Sequence, residues 1–173
     1  MNWMKKVAVA LVCLLPLGLQ AAKVDTLQVK SPSMNKSIEV VVVSPDVAAT
    51  KACPVIYLLH GYGGNARTWV GIKPDLSKIA DEKGIFFVCP DGKNTWYWDS
   101  PLNADVRYET FISDELVKYV DSHYKTVADR KGRAITGLSM GGHGAMWNGL
   151  RHSDVFSAAG STSGCLLYTS DAA

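Results

Sequence analysis

The order of apolar runs along this chain predicts an α/β fold, a mostly parallel sheet with helices on both faces. Three features predict it. The runs Val55-Ile-Tyr-Leu-Leu59 and Ile85-Phe-Phe-Val-Cys89 are apolar throughout, as strands buried on both faces must be. Amphipathic segments separate such runs, so strands and helices alternate. A further run, Arg133-Ala-Ile-Thr136, passes through glycines straight into a helical stretch.

The elements follow in order. Lys23 to Lys30 and Ser37 to Val43 are β-rich, and Ser31-Pro-Ser-Met-Asn-Lys36 between them makes a hairpin. A loop over Pro45 to Lys51 leads to the strand Val55 to Leu59. Pro74 to Lys83 is a helix with proline in its first turn, Leu76, Ile79 and Ala80 on one face, and Gly84 as its stop. The strand Ile85 to Cys89 closes at Pro90-Asp-Gly92. A polar and aromatic loop runs from Lys93 to about Arg107. Glu109 to His123 is a second amphipathic helix, with Ile112, Leu116, Tyr119 and Val120 at helical spacing. Arg133 to Thr136 is a strand, Met140 to Arg151 a helix, and Phe156 to Gly160 begins another strand. Neither repeats nor linkers interrupt this pattern, so one domain is expected.

Both ends stand apart from it. Lys5 and Lys6, the apolar run Val7 to Leu19 and the small residues Ala21 and Ala22 have the layout of a secretory signal peptide. That run is shorter than the roughly 20 residues a bilayer-spanning helix takes. Residues 1–22 are therefore expected to be removed on export, leaving a periplasmic or secreted protein with no membrane attachment. Cys165-Leu-Leu-Tyr-Thr-Ser-Asp-Ala-Ala173 matches the in-frame translation of a sequencing-library adapter at every position. Residues 165–173 are accordingly expected to be adapter-derived, and 23–164 to be the N-terminal part of a longer domain.

Composition sets further bounds. With 47% hydrophobic and 20% charged residues, the chain has ordinary globular content for one core. The formal charge is +2; without Lys5 and Lys6 it is 0, and without Asp171 as well it is +1. No basic surplus points to nucleic acid or to an anionic membrane. Outside the two ends only Cys53 and Cys89 remain. One precedes a strand and the other ends a strand running the same way, which holds them beyond the roughly 7 Å that a disulfide spans. Two free, largely buried thiols are expected.

The sharpest chemical signal is Gly137-Leu-Ser-Met-Gly141, followed by Gly142. It fits G-x-S-x-G, in which a serine sits on a strained strand-to-helix turn with its hydroxyl projecting from the sheet edge. The bare pattern turns up by chance in roughly one chain in twenty of this size. Its position between a strand and a helix makes it specific: Ser139 is read as a nucleophile in an α/β-hydrolase fold. The second signal is His60-Gly-Tyr-Gly-Gly64, directly after the strand Val55 to Leu59. Glycines there allow a sharp turn that aims a backbone N–H into the site. In this fold the oxyanion hole pairs such an N–H with that of the residue after the nucleophile, which gives Tyr62 and Met140. His60 reads as a loop-holding residue rather than the catalytic base.

Several segments resemble the esterase D-like family of α/β hydrolases. These are Tyr57-Leu-Leu-His-Gly-Tyr-Gly-Gly64, Val88-Cys-Pro-Asp-Gly92, Trp96-Tyr-Trp-Asp-Ser-Pro101, Tyr108-Glu-Thr-Phe-Ile112 with Glu115-Leu116, and Ile135-Thr-Gly-Leu-Ser-Met-Gly-Gly142. That family includes S-formylglutathione hydrolases, tributyrin esterases, feruloyl and acetyl-xylan esterases, and antigen 85-type mycolyltransferases. The resemblance covers about Ser37 to Gly164. It implies a serine carboxylic-ester hydrolase working through an acyl-enzyme on Ser139, with no cofactor and no metal.

One departure stands out. The family takes its triad acid and histidine from loops after later strands, and too few residues follow Ser139 to reach them. His143, His152 and Asp154 come too early and are read as surface or capping residues. The 173-residue chain is therefore expected to be inactive. Trp96 and Trp98, with His60 nearby, either line a substrate pocket or cap the core beneath a long loop. Asp99, Glu109 and Glu115 read as solvated or loop-pinning residues. The expected partner is a small-molecule or polysaccharide-linked ester. Alternatives are an S-formylglutathione-type thioesterase, which export disfavours, an acyltransferase, and a non-catalytic binding domain, against which an intact Ser139 counts.

Overall fold

A computed structural model of the protein describes residues 22–164. The expected leader, apart from Ala22, and the 165–173 segment lie outside the described residues. A six-stranded sheet with the order β1-β2-β4-β3-β5-β6 organises the described chain. Strands β1 (Lys23–Ser31) and β2 (Lys36–Ser44) form the antiparallel hairpin, with Asn35 at φ 47° in its turn. The β2 strand also runs antiparallel to β4 (Phe86–Pro90). From β4 onward the pairing is parallel: β3 (Val55–Leu59) lies between β4 and β5 (Arg133–Leu138), and β6 (Ala158–Thr162) flanks β5.

Every residue of β4 is buried, and in β3 only Ile56 is partly exposed, in keeping with apolar runs that face a core on each side. One core joins Val40, Val42, Tyr57, Leu59 and Val88 to the helical segment 108–123 and to Met140 and Ala145. The other joins Val41, Val43, Leu58, Phe87 and Cys89 to Ala66, Leu76 and Ala80. Alternation along β2 thus sends successive valines to opposite layers. Cys53 and Cys89 are both buried and free, at opposite ends of parallel neighbours, as expected.

Helix α2 (Leu76–Lys83) begins two residues after Pro74, which lies in the preceding turn, and stops at Gly84, whose φ of 63° is the left-handed cap. A short helix α1 (Thr68–Ile72) precedes it; with one turn and no capping side chain, it left no periodic pattern to read. The expected 109–123 helix starts at Tyr108 and contains a π turn: α3 (Tyr108–Thr110), the π segment Phe111–Glu115, and α4 (Leu116–His123). The wide turn lets Phe111, Ile112 and Ser113 all face inward before the 3.6-residue stripe resumes at Leu116, Val117 and Val120. Helix α5 spans Met140–Arg151 as expected.

The last strand begins two residues later than expected. The Val155 and Phe156 N–H groups both turn back to the His152 carbonyl, at 2.9 and 3.0 Å, and Phe156 drops its ring edge-on against Tyr57. Among the described residues no helix is long and apolar enough to cross a membrane.

Candidate active site

The carboxyl ends of β3, β4 and β5 come together at one edge of the sheet, and the loops that leave them form the site. Ser139 joins β5 to α5 at φ 53° and ψ −117°, a backbone conformation that L-residues other than glycine rarely hold. Its N–H donates to the Thr162 carbonyl (2.9 Å) and its carbonyl accepts from His143 N–H (3.0 Å), so both backbone groups are fixed. Serine at a helix N-cap ordinarily spends its hydroxyl on the first turn. Here it makes no such bond, and the hydroxyl is left for other chemistry.

The glycines around it are set by contact. A Cβ on Gly137 would lie 2.2 Å from the Gly141 carbonyl oxygen, and one on Gly141 would lie 2.2 Å from that of Leu59. Only bare backbone lets β5 fold straight back into α5 while α5 abuts the end of β3.

The loop after β3 is held carbonyl by carbonyl. Leu59 C=O accepts from Trp69 Nε1 (3.0 Å), His60 C=O from the Tyr97 hydroxyl (3.1 Å), and Gly61 C=O from Gly64 N–H (3.0 Å). His60 Nδ1 also lies 2.7 Å from that Gly61 oxygen. His60 Nε2 takes the Gly92 N–H at 2.9 Å, so the neutral ring carries its proton on Nδ1 and donates it to Gly61. Asp91 Oδ1 stands 3.5 Å from Nε2, too far for a direct bond.

Gly61 to Gly64 is thus a β-turn with Gly63 at φ 75°, tied to the next loop by Gly63 N–H to Asn94 Oδ1 (2.8 Å). Tyr62 occupies the second position of that turn, 67% exposed, and its N–H bonds to no described group. Met140, first residue of α5, has an N–H with no partner inside the helix. The Gly61 backbone packs against the elbow, where a Cβ would lie 3.5 Å from Ser139 Cβ. A serine hydroxyl, a free turn N–H and a helix-terminal N–H therefore occupy one small region of the sheet edge. The helix dipole favours negative charge there.

The other candidates fall elsewhere. His60 is only 1% exposed with both ring nitrogens engaged, so it builds the loop from within. Trp96 and Trp98 pack edge-on against His143, with ring centroids 5.4 and 6.2 Å away, and Trp98 also meets Trp147. Both indoles lie over α5 and stay partly exposed. His143, expected at the surface, is buried beneath them: one turn into α5, its side chain falls on the face that the 93–107 loop covers. His152 lies half-buried, its Nε2 2.9 Å from Glu109 Oε1, and Asp154 is exposed.

Glu109 is not solvated either. Burial alone would raise its pKa, but bonds from Arg151, Trp147 and His152 hold the carboxyl below its ordinary range. Asp91 is likewise raised by burial, but the Lys93 ammonium and backbone N–H both reach its carboxylate and hold it well below the carboxylate range. Asp99 pins Thr110, and Glu115 pins the hairpin through Ser31 and Ser33, as a loop-pinning reading requires. Among the described residues no group of three or more His, Cys, Asp or Glu side chains is placed to hold a metal ion.

Tyr97 was not singled out from sequence, yet it contacts the loops after β3 and β4 and helix α5. Its ring lies where a Cβ on Gly92 or Gly144 would stand, 2.0 and 2.5 Å from the nearest ring atoms. The one available signal was its place between two tryptophans, which sets the middle aromatic apart from its neighbours.

A family profile described as "Putative esterase" matches residues 31–172. The chain belongs to that esterase family. Esterase Rv1288 of Mycobacterium tuberculosis (strain H37Rv) is 31% identical over 144 residues, which is 79% of this chain and 31% of that protein. A solved ferulic acid esterase superposes with TM-score 0.68 at 32% identity, over 80% of this chain and 61% of the other. An S-formylglutathione hydrolase from Agrobacterium tumefaciens superposes with TM-score 0.74 at 24% identity, over 83% and 58%, which speaks to fold alone. The family chain therefore has the α/β-hydrolase fold that its elbow implied. It spans about a third of the length of the first curated relatives and about three fifths of these solved structures.

Proposed function

We propose that this esterase-family domain is a serine carboxylic-ester hydrolase with Ser139 as nucleophile and the Tyr62 and Met140 N–H groups as its oxyanion hole. One observation carries the reading: Ser139 is held at φ 53° between strand and helix with its hydroxyl excluded from helix capping, next to the helix-terminal Met140 N–H and near the Tyr62 N–H, which bonds to no described group. Strain of this kind costs about 1–3 kcal/mol and persists where a side chain must be presented.

The Ser139 Oγ forms a bond to the ester carbonyl carbon while its proton passes to a histidine. The negative oxygen is received by the two N–H groups. The bond to the alcohol oxygen then breaks, and the histidine returns the proton to that alcohol. Water, deprotonated by the same histidine, adds to the acyl-enzyme carbonyl; the bond to Ser139 Oγ then breaks, and the histidine returns the proton to Oγ as the acid leaves.

His60, His123 and His152 are each engaged with other groups, and His143 lies buried beneath Trp96 and Trp98. In this proposal the histidine and its acid come from a longer protein, beyond Gly164. Lys5, Lys6 and the Val7 to Leu19 run support export. Export and the ferulic acid esterase relative together favour an ester carried on a plant polysaccharide.

The test is turnover of methyl ferulate and p-nitrophenyl acetate by the longer protein beside Ser139→Ala. The reading predicts a loss of at least about a thousandfold in kcat for the variant. Activity within tenfold of the parent would refute it. Acyl transfer to an added sugar, measured by product analysis, separates a transferase from a hydrolase.

A further inference from the structure

We propose that Tyr97 is a positioning residue for the oxyanion hole, fixing through the His60 peptide the direction of the Tyr62 N–H. This rests on the serine-esterase reading above. Two consecutive residues, Trp96 and Tyr97, hold φ values of 57° and 61°, although neither is a glycine. A strained pair outside the nucleophile turn calls for a function of its own. What the strain achieves is visible in the contacts. The reversed backbone drives the Tyr97 ring inward, into the slot left by the missing Cβ atoms of Gly92 and Gly144, while both tryptophans stay outside on α5.

Two bonds lock it there, and a third fixes the amide that makes one of them. Asn148 Nδ2, from α5, donates to the Tyr97 carbonyl at 2.9 Å and to the Gly144 carbonyl at 2.8 Å. The Tyr97 hydroxyl donates to the His60 carbonyl at 3.1 Å. Burial raises the phenol far above its ordinary pKa, so it remains a donor throughout the working range. His60 C=O belongs to the peptide unit that leads into Gly61. Gly61 C=O, held by His60 Nδ1, belongs to the unit whose N–H is that of Tyr62. Peptide units are rigid and planar, with C=O and N–H pointing in opposite directions. Holding the two carbonyls therefore aims the Tyr62 N–H. Tyr97 supplies one of these two holds, and its ring also touches α5, which carries Ser139 and Met140 at its start. It thus sets both halves of the oxyanion hole against a common wedge.

The test is Tyr97→Phe in the full-length enzyme, with methyl ferulate as substrate and a trifluoromethyl ketone analogue as probe. The ring and its slot are kept; only the hydroxyl is lost. A mis-aimed donor weakens the transition state rather than substrate binding. The proposal predicts that kcat falls about tenfold, KM stays within twofold, and the ketone binds about tenfold more weakly. The Tyr62 amide peak should also shift in a 15N–1H spectrum. A kcat and ketone affinity within twofold of the parent, whatever the change in Tm, would show that Tyr97 only packs. A raised KM with unchanged kcat would overturn the proposal as well. If Ser139→Ala stays active, the serine reading fails first, a result distinct from any seen with Tyr97→Phe.

Discussion

At the residue scale, the site is built from exclusions. Ser139 is kept in a glycine-like conformation and denied the capping bond that an N-cap serine ordinarily makes. Ser139→Gly removes that strain, and we expect a gain of about 1 kcal/mol in stability together with loss of turnover, read as a higher urea midpoint with unchanged slope. Gly141→Ala is expected to do the opposite. Its Cβ would meet the Leu59 carbonyl at 2.2 Å, a backbone group that cannot yield, so a loss of at least about 2 kcal/mol is predicted by the same unfolding measurement. Ser139 and its glycines were legible in the sequence because a local turn imposes them within five residues. Tyr97 was not, because its burial depends on Gly92 and Gly144, the second of them 47 positions away, and no local pattern links them.

At the element scale, Glu109 ties the start of the 108–123 helical segment to the end of α5. It accepts from Trp147 Nε1 (2.7 Å), Arg151 Nε (2.7 Å) and His152 Nε2 (2.9 Å), with Arg151 also 4.9 Å over the Trp147 ring. The folded carboxyl is held below its ordinary pKa, so its contribution is complete above the ordinary glutamate range and is lost as pH falls through the lowered folded value. Glu109→Gln is therefore expected to cost about 1–3 kcal/mol at neutral pH, with the gap from the parent closing in acid. Chemical unfolding at stepped pH checks both sign and window. The strands were legible from composition and α5 from its edges. The π turn was not, since a single added residue leaves the helical periodicity almost intact on either side. His143 was misplaced for a related reason: its place one turn into α5 gave no sign that the 93–107 loop would roof it with two tryptophans.

At the scale of the whole molecule, the sheet ends on β6, whose only strand partner among the described residues is β5. Four of its five residues are exposed, and its outer backbone groups offer a template for another strand. The 173-residue chain is expected to self-associate through this edge, and Ala158→Lys to reduce that association, as seen by light scattering on an eluting peak. Fold class was legible because an alternating β and α order permits few arrangements; the two N-terminal antiparallel strands came from their turn. Candidate site residues were legible only where backbone geometry constrains sequence, which is why Ser139 and the 60–64 loop stood out and the substrate did not. The proposed reaction turns on attack by Ser139 on the ester. The most direct measurement is to treat the longer protein with a fluorophosphonate and locate the adduct by peptide mass spectrometry. One phosphonyl group is expected on Ser139, in the peptide running from Ala134 to Arg151, and none in Ser139→Ala. An adduct on another residue, or ester turnover that survives without modification of Ser139, would contradict it.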